Sequence, residues 1–192
     1  NETIKINVTV KTPSVKLTAT KAPLQVKKST TAIKVSSKIS TDAISSVSSS
    51  STSRVKAYRV KTSSGNYSTT GIKLVAQSKT GTATITVKMK SGAKATCKVT
   101  VQKSAVKVTS VSVPSTSVTL RLAGANKKTT YKIAAKRYPV TATSKIYYST
   151  SNKKVATVSS SGTITAKKAG KATITVKSGT KTKKITVTVK SK

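Results

Sequence analysis

Apolar and polar residues alternate with a period of two through most of this chain, and no stretch adopts the roughly 3.6-residue period of a helix face. The clearest run occurs twice, as Gly81-Thr-Ala-Thr-Ile-Thr-Val87 and Gly170-Lys-Ala-Thr-Ile-Thr-Val176. Ala83, Ile85 and Val87 form one face of the first copy against Thr82, Thr84 and Thr86. Ala172, Ile174 and Val176 do the same in the second, against Lys171, Thr173 and Thr175. β-Branched residues at alternate positions predict a half-buried strand, and the leading glycine marks a turn or a close backbone approach. The segments C-terminal to the two runs match as well: Ala95-Thr-Cys-Lys-Val-Thr-Val101 against Lys183-Lys-Ile-Thr-Val-Thr-Val189, after the turns Ser91-Gly92-Ala93 and Ser178-Gly179-Thr180. Each block reads as a β-hairpin closing a domain. The copies lie 89 residues apart at Gly81 and Gly170 and 88 apart at Val101 and Val189, so one residue differs in the turn. The chain is therefore an internal duplication of a whole small domain.

The repeat sets the boundaries. Residues 11–102 are expected to form the first domain and 103–192 the second. Residues 1–10 contain Ile4-Lys-Ile-Asn-Val-Thr-Val10, which resembles the closing strands. They read as the last strand of a preceding repeat, with an extra edge strand of the first domain as the alternative. In the first repeat Val15 and Leu17 open a strand, Lys21-Ala-Pro23 is expected to turn it, and Leu24 and Val26 continue. Ile33 and Val35 come next; Ser45–Ser53 reads as a loop or weakly specified edge. Val55 to Val60 resumes strand character before the turn Ser63-Ser-Gly65-Asn66, and Ile72, Leu74 and Ala76 lead to Gly81. The second repeat has the same plan through Val118 to Leu122, Tyr131 to Ala135, Ile146 to Tyr148, Val155 to Val158, and Ile164 with Ala166. About seven short strands per repeat predict an all-β fold: two tandem antiparallel sandwiches of immunoglobulin-like type.

The stretch from Tyr148 to Val176 resembles the bacterial immunoglobulin-like group 2 domain. The features that carry it are the Ser/Asn-rich segment, the strand Val155-Ala-Thr-Val158, the turn at Gly162, Ala166-Lys-Lys-Ala-Gly170 and the final hairpin. The first repeat departs from it, since Arg54-Val-Lys-Ala-Tyr58 stands at Val-Ala-Thr-Val. An aromatic usually precedes the Ser-rich segment, a core role that falls here to Tyr147 or Tyr148. The resemblance implies tandem spacer or adhesive modules of bacterial surface, wall-attached or virion proteins, extracellular, with further repeats in the parent chain and no shared catalytic residues.

Charge then narrows the picture. The chain carries 38 Lys and Arg against two acidic residues, Glu2 and Asp42, for a net +36. Only Arg54, Arg59, Arg121 and Arg137 are arginine. Lysine offers a hydrated point charge on a flexible stem rather than the planar fork of arginine, so the pattern predicts a diffuse field, not a shaped anion pocket. Paired clusters at Lys27-Lys28, Lys136-Arg137, Lys127-Lys128, Lys153-Lys154, Lys167-Lys168 and Lys181 to Lys184 fall in turns or at strand ends. The residues expected to contact a polyanion are Lys127, Lys128, Lys153, Lys154, Lys167, Lys168, Lys181, Lys183 and Lys184.

Catalysis and metal binding lack their ingredients. There is no His, one Cys, and a single carboxylate pair formed by residues 40 positions apart. No enzyme, cofactor or metal is expected. Cys97 alternates in phase with Val99 and Val101 and corresponds to Ile185, so it reads as a small core hydrophobe. Of the six tyrosines, Tyr67 and Tyr138 are expected at the surface and the others at core or half-buried positions. No run approaches the roughly 20 apolar residues of a membrane-spanning helix. The expected partner is an anionic polymer, teichoic acid or an acidic polysaccharide, or an acidic protein chain; nucleic acid would bind without specificity. The alternatives are a structural unit of an extracellular filament or virion, and an adhesin for acidic host glycans.

Overall fold

A computed structural model describes Thr12–Lys192, so the expectation for residues 1–10 lies outside the described residues. Among the described residues there are eighteen strands and no helix. The chain divides between Ser104 and Ala105 into two compact units. The first holds β1 (Val15–Leu17), β2 (Lys21–Gln25), β3 (Ser29–Thr30), β4 (Val35–Ser37), β5 (Ile44–Ser49), β6 (Val55–Lys61), β7 (Tyr67–Ala76), β8 (Gly81–Met89) and β9 (Lys94–Gln102). The second holds β10 (Ser110–Ser112), β11 (Ser117–Arg121), β12 (Thr130–Lys132), β13 (Lys136–Tyr138), β14 (Ile146–Thr150), β15 (Ala156–Val158), β16 (Thr163–Ala166), β17 (Gly170–Ser178) and β18 (Lys181–Lys190).

Strand order repeats element for element. Four-stranded sheets run β2-β9-β8-β5 and β11-β18-β17-β14; three-stranded sheets run β3-β7-β6 and β12-β16-β15; β1-β4 and β10-β13 are two-stranded ribbons. Each unit is thus an immunoglobulin-like β-sandwich. It has nine strands rather than about seven, because the first two apolar stretches each divide between sheets, β1 from β2 and β3 from β4, as β10 from β11 and β12 from β13. In the first unit β1 pairs antiparallel with β4, whereas β2 runs parallel to β9; β11 and β18 repeat the parallel pair. The sandwiches are therefore not wholly antiparallel. Lys21-Ala-Pro23 is also strand, not turn. Val26 N–H donates to the Gln102 carbonyl at 2.9 Å, so by alternation the position of Pro23's missing N–H lies on the free side of the edge strand, where proline is tolerated.

The closing hairpins keep the register expected of them. Gly81 faces Val101 and Ile85 faces Cys97 in the first; Gly170 faces Val189 and Ile174 faces Ile185 in the second. The inner residues of both sheets meet in each core, through Ile72, Leu74, Ile85 and Val99 in one unit and Leu120, Ile164, Ile174 and Ile185 in the other, all fully buried. Burying one such side chain is worth roughly 1.5–3 kcal/mol, so these few layers dominate stability.

The heptad glycines answer to close approach. Gly81 (φ +112°) and Gly170 (φ +145°) adopt backbone that disfavours side chains. A Cβ on Gly81 would stand 2.7 Å from Arg54 Nε, and one on Gly170 would stand 3.0 Å from Val155 Cγ2. Arg54 and Val155 are equivalent positions, so each repeat lays that side chain across its glycine.

The serine-rich segment takes the edge alternative: β5 lies at the edge of its sheet with a register shift between Ile44 and Ser46, and the chain beyond it is held in place. In both units the chain leaving β5 or β14 folds over the neighbouring strand. Ser50 Oγ accepts Thr84 N–H at 2.9 Å, and Ser151 Oγ accepts Thr173 N–H at 2.8 Å. The serine backbone N–H groups donate to Thr84 and Thr173 carbonyls, both at 2.9 Å. Short hydroxyls are suited to this role because they satisfy ladder groups the edge strand no longer reaches. The main departure between repeats is the β6–β7 hairpin, which extends through Lys61 and Tyr67 where β15 and β16 span only Ala156–Val158 and Thr163–Ala166.

Candidate functional site

All nine lysines singled out for polyanion contact are exposed, but the fold sorts them into two groups. Six gather at the Gly170 end of the second sandwich. Lys128 exchanges backbone hydrogen bonds of 3.0 Å with Arg121, which pairs with Lys190 beside Val189 and Gly170. Lys127 sits in the same turn. Lys167 and Lys168 both direct their N–H groups to the Val155 carbonyl, at 2.8 and 3.3 Å, and Lys153 and Lys154 precede Val155 in the loop. Lys181 lies at the other end, facing Ser178, and Lys183 and Lys184 follow it back along β18, facing Val176 and Thr175. Lys183 shares the strand face of Ile185, and Lys184 the opposite one. Thr175 and Ser178 stand five and eight residues of extended strand from Gly170, about 17 and 27 Å, two to three times the Debye length of about 8 Å at physiological salt. The two groups act as separate cationic ends, not one patch.

The arginines behave differently. Arg54 Nε donates to the Thr80 carbonyl at 3.2 Å, Arg59 Nη1 to Ser45 at 3.3 Å, Arg121 Nη1 to Lys192 at 2.7 Å, and Arg137 Nε to Ala142 at 2.9 Å. Each guanidinium thus fastens one piece of backbone to another. Arg59 also lies 3.8 Å over the Tyr67 ring, stiffening the long β6–β7 hairpin. Of the Lys136-Arg137 pair, only Lys136 is left to the surface as a free cation.

Tyrosine placement needs correction. Tyr67 and Tyr138 are exposed as expected, but so are Tyr58 (47%) and Tyr147 (64%). Tyr58 and Tyr147 each stand one position out of phase with the inward residues of their strands, Val55 and Ala57 for Tyr58, Ile146 and Tyr148 for Tyr147, and so project from the outer face. Tyr148 takes the aromatic core position, packing half-buried against the second core. Its ring lies over Gly162, where a Cβ would come within 2.7 Å of Tyr148 Cζ.

Cys97 is fully buried, with its thiol pushed up to about 11 by burial. Asp42 is buried at the β8–β9 turn end, where its carboxylate accepts Ser91 Oγ at 2.7 Å, Ser91 N–H at 3.1 Å and Ser37 Oγ at 3.3 Å. The Ser91 hydroxyl chiefly holds it below the usual carboxylate range. Both are structural groups: one fills a core, the other ties the closing turn to the chain before β5. Among the described residues no three of His, Cys, Asp or Glu gather, and no helix is long and apolar enough to cross a membrane.

The structure also assembles a feature that strand patterns do not reveal. An open groove lies beside the paired sheet edges of each unit, between β5 and β6 and between β14 and β15. No motif announces it, because its walls come from different sheets.

Comparison with known proteins bears on the second unit. Residues 107–189 match the profile of the bacterial Ig-like domain (group 2). Among solved structures, domains 5–6 of the S-layer protein SbsC align at 18% identity over 94% of this chain and 99% of that one, with a TM-score of 0.42. Domains 4 and 5 of the same protein align at 31% identity over 60% of this chain and 68% of that one, TM-score 0.37. Extracellular cadherin domains 1–4 of protocadherin gamma B7 align at 12% identity over 94% of this chain and 51% of that one, TM-score 0.36. No curated protein matches the chain.

Proposed function

Because residues 107–189 are a bacterial Ig-like domain of group 2, we propose that this chain is a non-catalytic, extracellular structural or adhesive module that associates electrostatically with anionic surface polymers. One observation carries the reading. Of the +36 net charge, the four arginines are engaged with backbone carbonyls, while the lysine clusters extend into solvent from the ends of the second sandwich. A flexible, hydrated ammonium binds many anions weakly and none selectively, and binding gains from counterion release at each contact. The partner class is a teichoic acid or acidic polysaccharide, and the parent chain carries further repeats.

A salt titration tests this. Affinity for teichoic acid, polygalacturonate, heparin and DNA should fall steeply and similarly as salt rises. Neutral glycans should not bind. Replacing Lys181, Lys183 and Lys184 together by Gln should lower the magnitude of the log–log salt slope by about 2–3, since each lost contact contributes nearly one unit on a dense polyanion. Tight, salt-insensitive binding to one neutral glycan would overturn the reading; so would an absence of polyanion binding at low salt.

A further inference from the structure

The two edge grooves occupy equivalent places. Val47 faces Val87 and Tyr148 faces Val176, at matching positions of the heptads. Val55 and Ala156 each face the alanine that ends the next strand, Ala76 and Ala166, so Lys56 corresponds to Thr157. The cavities measure about 390 Å³ in the first unit and about 500 Å³ in the second, within the roughly 300–1,000 Å³ of small-ligand sites.

Their linings hold the same chemical groups from different positions. In the first groove the aromatic and the cation are Tyr58 and Lys56, both from β6; in the second they are Tyr148 from β14 and Lys153 from the loop after it. At the positions equivalent to Tyr148 and Lys153 the first unit has Val47 and Thr52. Serine and threonine hydroxyls complete each wall, with Ser48 and Ser49 matching Ser149 and Thr150. A shared scaffold accounts for the matching hydroxyls. It does not account for a tyrosine and a lysine that come from non-equivalent positions in the two units yet line the same cavity.

A phenol ring, an ammonium and several hydroxyls suit a sugar ring bearing a carboxylate. The C–H face of a pyranose stacks on the aromatic, its hydroxyls exchange hydrogen bonds with the wall, and the carboxylate pairs with the lysine. We propose that the two grooves are equivalent subsites for acidic sugar residues of an anionic polysaccharide, with the ring against Tyr58 or Tyr148 and the carboxylate on Lys56 or Lys153. This rests on the polyanion reading and sharpens it: the diffuse field gathers the polymer, and the grooves select uronate-type sugars from it.

The test uses the whole chain and trigalacturonate at about 0.5 M salt, where the Debye length falls to roughly 4 Å and the diffuse field is screened. Amide shifts on titration should concentrate at Ser48, Ser49, Ser149 and Thr150. Lys56→Gln with Lys153→Gln should weaken binding at least fivefold, whereas Lys88→Gln with Lys177→Gln, which removes the same charge from the outer sheet faces, should change it less than twofold. Tyr58→Ala, at an exposed position, should abolish the first set of shifts and leave the second. The methyl-esterified trisaccharide should bind at least tenfold more weakly than the acid. Equal loss in the two lysine pairs, shifts scattered over the surface, or equal binding of the ester would each overturn the subsites while leaving the field reading intact. Failure of the unaltered protein to bind polygalacturonate or heparin at low salt would overturn both.

Discussion

Position decides what each residue type does here, and Cys97 shows it most directly. The thiol faces Ile85 within a closed core and is held neutral, with burial raising it to about 11. At pH 8 only about one molecule in a thousand would carry the thiolate, the form that reacts. Native protein should therefore label with a thiol reagent only as fast as it unfolds. Cys97→Val should leave the melting temperature within a few degrees. Cys97→Asp should cost about 3 kcal/mol or more, through a buried charge with no partner. Rapid labelling of folded protein would contradict this placement. The same logic divides the cations, because the arginines bond to carbonyls of their own units while the lysine clusters do not. It also assigns the Ser-rich stretch: Ser50 and Ser151 complete the backbone bonding of β8 and β17.

At the level of strands and turns, the glycines separate two kinds of constraint. Gly65 (φ +80°), at the tip of the β6–β7 hairpin, has open space where a Cβ would stand; Gly162 (φ +83°) has the Tyr148 ring there. Gly65→Ala should cost only the left-handed backbone penalty, roughly 1–2 kcal/mol. Gly162→Ala should cost that and roughly 1–3 kcal/mol more, because the ring must move off its core position. Chemical denaturation of the two variants measures the difference, and a larger loss for Gly65→Ala would reverse the assignment of Tyr148 to the core. Alternation does read the strands of both closing hairpins correctly. It misses the division of the first strand because the residues on either side of the crossing at Thr18–Thr20 alternate alike, and only their partners, β4 and β9, distinguish them.

The molecule as a whole has almost nothing that titrates near neutrality: no His, and Glu2 and Asp42 as its only side-chain carboxylates. Its cationic field should stay constant from about pH 5 to pH 8. Among the described residues Asp42 provides the acid-sensitive side-chain contact, since its folded carboxyl is held below the usual value of about 3.9 by the Ser91 hydroxyl. A lowered folded pKa contributes stability that is fully present above the unfolded value and is lost as pH falls through the folded one. The melting temperature should thus be flat above about pH 5 and decline below about pH 4. Asp42→Asn should melt lower at pH 7 and show a shallower decline in acid. A variant with the full acid decline would place the titrating group elsewhere.

Sequence alone determined the all-β class, the duplicated hairpins, the burial of Cys97 and the predominance of lysine charge, because each is written in local alternation, in a repeat or in composition. Only the tertiary structure decided which lysines share an end, since Lys128, Lys154 and Lys167 come from separate turns that meet where β17 begins. It also decided that Tyr58 and Tyr147 are exposed. Alternation tells which residues share a strand face, but not whether another strand covers that face. The paired grooves are the fullest case: their walls belong to edge strands of different sheets, and no spacing along the chain records which edges lie side by side.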